Sequence, residues 1–207
     1  MRDPVMERAT LAAKRDFDML PRSAEIHVQP ARRSELVALA DMANRLVPGV
    51  QITEPDLARY YAFDPGSILT FSRNKKLLGA VAFLYLNSRG HDALILDDIN
   101  LTHPDIGLLA GPSEEVSAIY VWAIAGQGRA MAGLGNVSTH LSQPRLAPAD
   151  LYAQPSSADG RNLMIAIGFE PIPSYQQELW RYQRPWNRLP VSAPAVQPAR
   201  SFADARH

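Results

Sequence analysis

The stretch from Val116 to Leu141 constrains this chain more than any other. Val116–Ala125 is apolar and rich in β-branched and aromatic residues, the pattern of a buried strand. It runs directly into Gly126, Gly128, Ala130, Ala132, Gly133 and Gly135, small residues that leave the backbone bare where the chain turns into a helix expected over about Arg129 to Leu141. Several peptide N–H groups can then approach an anion at the helix start, and phosphate is the obvious guest. Gly133 and Gly135 each weaken a helix by about 1 kcal/mol relative to alanine, so close approach to a ligand or to the sheet must explain them.

Read from its start, the chain supplies the partners such a strand needs. Residues 1–23 place Met6, Ala9, Ala13, Phe17 and Leu20 at helical spacing, which gives an N-terminal amphipathic extension, packed on its own domain or serving as a dimer-forming arm. Glu25–Gln29 alternates as a first strand, and Ser34–Leu46 is a helix with Ser34 placed to cap it. Pro48-Gly49 breaks that helix; Thr53 and Pro55 then begin a second over Leu57–Phe63. Ser67–Ser72 and Lys76–Leu86 flank the turn Arg73-Asn74-Lys75 and read as an antiparallel hairpin, the second strand apolar on both faces. Ala93–Leu101 pairs with it or forms a partly helical insertion. Tyr175–Tyr182 alternates as the last strand, and beyond Pro185 the Pro/Ala-rich sequence has little to bury and is expected to be disordered.

Composition removes several function classes. Lys plus Arg, 21, equal Asp plus Glu, 21, so no general attraction to nucleic acid or to an anionic membrane follows. There is no cysteine, which excludes disulfides and thiolate chemistry and suits a reducing cytoplasm, the expected location. The opening residues do not read as a signal peptide, and the longest apolar run, Leu77–Leu86, is about half of what a membrane-spanning helix needs. His27, His91, His103, His140 and His207 lack metal-site spacing, so no metal is expected. No G-x-S-x-G elbow marks a hydrolase, and Gly126-x-Gly128 followed by Met131 is not a dinucleotide fingerprint.

Gln127-Gly128-Arg129-Ala130-Met131-Ala132 resembles the Q/R-x-x-G/A-x-G/A acyl-CoA loop of the GNAT N-acetyltransferases, with the preceding VWAIA where that family places its fourth strand. Downstream, Ala149–Pro155, Ala158–Ile167 and Gly168-Phe169-Glu170-Pro171 resemble the family's fifth strand, fourth helix and "GF-x-P" return. The resemblance covers roughly residues 24–183, leaving residues 184–207 as a tail. It implies a single α/β (α+β) domain with a mixed, mostly antiparallel central sheet flanked by helices. It further implies acetyl-CoA or another acyl-CoA as co-substrate and transfer of the acyl group to an amine of a small molecule or protein. The helical pair before the hairpin would form one wall of the acceptor site, bringing Asn44, Arg45, Tyr60 and Tyr61 within reach of substrate; otherwise these are surface polar groups and half-buried aromatics.

On that reading, backbone around Trp122, Ala123, Ile124 and Ala125 holds the pantetheine and the thioester carbonyl, and Gln127 to Ala132 hold the diphosphate. Strict alternation puts Tyr120 and Trp122 on one face of the strand and Val121 and Ala123 on the other. If the first face opens on the cleft, Tyr120 can relay a proton and Glu115 can act as base through water; otherwise Tyr120 and Trp122 are core aromatics and Glu115 a solvated charge. The family usually carries a tyrosine five residues before the Phe of "GF", whose hydroxyl protonates the departing thiolate, and here that position is Met164. Ser157 stands where the family often has asparagine and completes the expected cofactor-binding set. A GNAT-shaped acyl-CoA-binding or interaction module without turnover is therefore the competing reading.

Overall fold

Seven strands form one sheet, and the apolar stretch before the small-residue cluster lies at its centre. In chain order they are β1 (His27–Pro30), β2 (Ile68–Arg73), β3 (Lys76–Leu86), β4 (Ala118–Gly126), β5 (Asp150–Ala153), β6 (Glu170–Pro171) and β7 (Trp180–Tyr182). Their spatial order is β1-β2-β3-β4-β5-β7-β6, with every pair antiparallel except β4 and β5. This is the mixed, mostly antiparallel α/β arrangement expected. The computed structural model describes residues 16–126 and 128–188. The helix expected over residues 1–23 lies mostly outside them, as do Gln127 and the tail beyond residue 188.

Helices cover both faces. On one side α1 (Leu36–Leu46), α2 (Glu54–Phe63) and α3 (Ser88–Leu96) pack Leu36, Leu39, Leu57 and Leu94 toward Ile68, Ala80, Ala82, Leu84 and Leu86 of the sheet. On the other side α4 (Leu134–Leu141) and α5 (Ala158–Ala166) bury Val137, Leu141 and Met164 with Phe71, Val81, Phe83, Ile119 and Leu151. Alternate residues of β3 serve opposite faces, as its doubly apolar sequence requires.

Local signals explain most boundaries. The Thr53 hydroxyl accepts from the Asp56 amide, and the Asp56 carboxylate accepts from the Thr53 amide, the reciprocal cap that starts α2. Asn74 and Lys75 take φ of 50° and 63°, the left-handed pair a two-residue hairpin needs between Arg73 and Lys76. Gly168 follows α5 with φ of 95°, a conformation that favours glycine. Ser34 does not cap α1; a short 3₁₀ turn precedes the helix, and it is Glu35 whose carboxylate accepts from the Arg32 amide. The open question after β3 resolves as helix, begun by Asn87, whose side chain accepts from the Gly90 amide. The strand expected over Tyr175–Tyr182 shortens to three residues, because Glu178 sits at φ of 53° and breaks the extended run.

The close approach expected at Gly133 and Gly135 is to the protein itself: a Cβ on Gly133 would lie 2.9 Å from Ile26 and 3.4 Å from both Phe71 of β2 and Val28 of β1, so the sheet explains that glycine, whereas one on Gly135 would lie 2.2 Å from the Pro21 carbonyl oxygen of the N-terminal segment. One further expectation needs correction: ordered chain continues past residue 183. Arg184 is fully buried: its guanidinium donates to the carbonyls of Ala149 (3.2 Å) and Leu141 (2.9 Å) and pairs with Asp18. The Trp186 indole donates to the Ala147 carbonyl at 3.0 Å. Composition alone read this segment as tail because its anchors lie far away in sequence.

Candidate functional site

The site is built around a defect in β4. Its register with β3 runs Gly79↔Gly126 to Ala82↔Ala123, then resumes at Phe83↔Val121, so Trp122 is an extra residue with no partner in β3. On its other side β4 pairs with β5 only from Ala118↔Asp150 to Tyr120↔Tyr152. Val121–Gly126 therefore runs on after β5 has left the register, and Trp122 has a register partner in neither neighbour. A cavity of about 200 Å³ opens beside this interrupted edge, between the sheet and the α1–α2 pair.

The bulge corrects the expected alternation. Tyr120, Trp122, Ala123 and Ala125 all line the cavity, while Val121 and Ile124 pack into the core on the opposite face. The extra residue turns Ala123 to the side of Trp122 instead of Val121. The Trp122 indole donates to the Leu101 carbonyl at 2.6 Å and meets the Tyr60 ring edge-on at 5.0 Å, which ties the loop before β4 to the cavity wall. Gly79 belongs to the same construction: a Cβ there would lie 2.6 Å from the Ala125 carbonyl oxygen, so glycine lets β3 close on the end of β4.

Tyr120 is buried, and its hydroxyl donates to the Gln154 side-chain oxygen at 2.9 Å. Burial pushes the phenol well above its ordinary range, so the group keeps its proton at neutral pH. Gln154 in turn donates to the Gln177 carbonyl at 2.6 Å. Next to this pair, the Tyr152 hydroxyl and His91 Nε2 are 2.9 Å apart, and burial holds that imidazole below its ordinary pKa. Glu115 is exposed in the loop before β4 and does not line the cavity. Met164 is buried in the core of the opposite face.

The remaining expected residues divide. Ala130 is fully buried and Met131 packs against the core, so of this pair neither side chain is free to face a ligand, whereas Ala132 is exposed. Gly128 and Arg129 begin a 3₁₀ turn, Gly128–Gly133, that leads into α4. Ser157 caps α5, its hydroxyl accepting from the Gly160 amide at 3.0 Å. Of the helical-pair residues, Asn44 exchanges two 2.8 Å hydrogen bonds with the backbone of Ile52 and fixes the loop over the cavity, Tyr60 is buried, Tyr61 is half-buried and Arg45 is exposed. Sequence reasoning missed Gln154 and the cavity's mouth at Gln51 and Thr102; the Pro48-Gly49 break was the sole signal for the mouth.

Backbone without a strand partner fits an extended, amide-bearing chain, which can take the place the missing strand leaves. Among the described residues no group of three or more His, Asp or Glu could hold a metal ion, and no helix is long and apolar enough to cross a membrane.

No protein-family model matches the sequence, and no curated protein is similar to it. Solved structures do match. The chain is similar to the GNAT-like decarboxylase GphF in complex with isobutyryl-CoA, at 16% identity and a TM-score of 0.47 over 61% of this chain and 64% of that one. It is also similar to the loading GNAT-like domain of CurA from Lyngbya majuscula, at 14% identity and a TM-score of 0.45 over 62% and 64%. In both cases the match spans less than two thirds of the other chain. A third is Naa50 of Arabidopsis thaliana in complex with the bisubstrate analogue CoA-Ac-MVNAL, at 12% identity and a TM-score of 0.47 over 76% and 96%. Two of these three are described as GNAT-like.

Proposed function

We propose that the protein is an acyl-CoA-dependent N-acyltransferase that transfers an acyl group, acetyl in the simplest case, from CoA to an amine of a small molecule or protein. The observation that carries this reading is the unpartnered edge of β4 at Trp122, opening on a cavity and running straight into the small-residue turn. An extended pantetheine arm suits the edge, and the start of the turn suits a diphosphate. Trp122, Ala123 and Ala125 would border the thioester, Ile124 would contribute backbone alone, and the backbone of Gln127, Gly128 and Arg129 would face the phosphates.

The chemistry asks little covalent help of the protein. The amine nitrogen attacks the thioester carbonyl; a C–N bond forms, the C–S bond breaks, the amine loses a proton and the thiolate gains one. Holding the two reactants in contact supplies much of the rate. The Met164 thioether cannot donate a proton. Tyr120 lies on the cavity wall with its proton retained, and it can serve once its hydroxyl turns from Gln154. Glu115 has access to bulk solvent and could take up a proton only through water.

The test is to mix the purified protein with acetyl-CoA and a panel of amines and follow free thiol. Amine-dependent thiol release supports the enzyme. The second reading, an acyl-CoA-binding module without turnover, is favoured by Met164 in the core and by the engagement of Tyr120 with Gln154. Calorimetric CoA binding with no thiol release would select it. Absence of both would overturn the two readings together.

A further inference from the structure

The walls of the cavity beside Trp122 are chemically one-sided. α1 and the segments around α2 contribute Leu39, Ala43, Ile52 and Leu57, and the sheet contributes alanines and aromatics. Among the residues lining it none is charged; the polar side chains are Gln51 and Thr102, both exposed, with Tyr120 and Trp122, whose hydroxyl and indole N–H are already committed to Gln154 and to the Leu101 carbonyl. An amine acceptor arrives near neutral pH largely as an ammonium, and taking an unpaired ammonium into such a space is strongly unfavourable. A neutral apolar group is stabilised there instead. The volume is about 200 Å³. That is more room than an acetyl methyl fills and less than a drug-sized ligand needs.

We infer that this cavity binds the acyl chain of the thioester, and that the protein prefers a medium-length saturated chain, from butyryl to about hexanoyl, over acetyl. The inference rests on the acyl-CoA reading above and makes it specific. With the thioester carbonyl at the Trp122 bulge, the chain runs between the sheet and α1, past Ala82 and Ala43. The small side chains of these two residues leave the space that larger ones would close. The amine then approaches the carbonyl from outside the apolar walls, where water and the polar mouth at Gln51 and Thr102 can hold it. The reaction is unchanged: the longer acyl group passes from sulfur to nitrogen and CoA leaves as the thiol.

Calorimetric titration of the full chain with CoA, acetyl-CoA, butyryl-CoA and hexanoyl-CoA tests this without any variant. Each buried methylene is worth about fourfold in affinity. Hexanoyl-CoA should therefore bind at least about tenfold tighter than acetyl-CoA, a conservative fraction of the four-methylene maximum. Equal affinities across the thioesters would overturn the inference while leaving acyl-CoA binding intact, and would place an acceptor or solvent in the cavity. No binding of CoA or any thioester would overturn the acyl-CoA reading itself. Ala43→Leu, which adds bulk from a helix where leucine is well tolerated, should bring the hexanoyl-to-acetyl ratio close to one. Retention of the wild-type ratio in a folded variant would show that the chain lies elsewhere.

Discussion

Replacing Arg184 with methionine should cost the fold several kcal/mol, although sequence composition assigns the residue to a tail. The guanidinium is fully buried, donates to the carbonyls of Leu141 and Ala149, and faces Asp18, whose carboxylate also lies 2.9 Å from the Tyr182 hydroxyl. Methionine fills similar volume but leaves two carbonyls and one partly buried carboxylate without their donor. Breaking a buried ion pair by removing one partner costs about 3–5 kcal/mol, a large share of the roughly 5–15 kcal/mol that holds a domain together. For a chain of this length that corresponds to a fall of roughly 6–20 °C in melting temperature. Urea unfolding followed by circular dichroism reads the change, and Asp18→Asn with the double variant isolates the coupling between the two side chains. A loss below about 1 kcal/mol, the scale of an exposed pair, would refute the reasoning and return the segment to the tail. Truncation after Arg188 should leave stability unchanged, whereas truncation after Gln183 should reproduce most of the loss.

Four other outcomes are expected. Tyr120→Phe should slow acyl transfer at least about tenfold, at the low end of general-acid effects, while the lost hydrogen bond to Gln154 costs about 1 kcal/mol of stability; an undiminished rate in thiol-release kinetics would remove the hydroxyl from the chemistry. Burial holds His91 and His140 below the ordinary imidazole range, against opposing pulls from Asp92 and Asp150 on the first and Asp64 on the second. Their neutral forms therefore stabilise the fold fully above about pH 6.5, and that contribution is lost as pH falls through the lower folded values. Melting temperature should drop between pH 7.5 and 5.5, and a flat profile would contradict it. Ala132→Leu, at an exposed position, should melt like the wild type yet weaken CoA binding at least about tenfold, the worth of one hydrogen bond to a charged group. By contrast, Ala130→Leu should destabilise by about 1–3 kcal/mol through overpacking, since Ala130 is fully buried in the core.

What the sequence made legible was local. A reciprocal Thr53–Asp56 cap, an Asn74-Lys75 hairpin turn and a doubly apolar β3 are each written within a few residues, and the sheet and its helices follow from them. The misreadings are relations between distant segments. Gly135 is small because Pro21 passes over it, and Arg184 is buried because Asp18 meets it, 166 residues away in sequence. Neither fact leaves a mark on periodicity or composition.

The bulge at Trp122 is the case that matters for function. Strict period-two reading of β4 sends Ala123 to the face of Val121, and nothing in the strand itself contradicts that. Only the pairing with β3 shows that one residue is extra, so that Trp122, Ala123 and Ala125 come to one cavity and Tyr120 joins them. The same defect follows directly on the point where β5 leaves the register, at Tyr120↔Tyr152. A strand that lost only β5 would be an edge that another strand could cover; one that also bulges has its local twist increased and its side chains re-aimed. The two features together favour a small extended ligand over a further strand, and the apolar walls then decide which part of that ligand is buried. Chain-length selectivity is therefore the property through which the geometry of β4 can be read in solution.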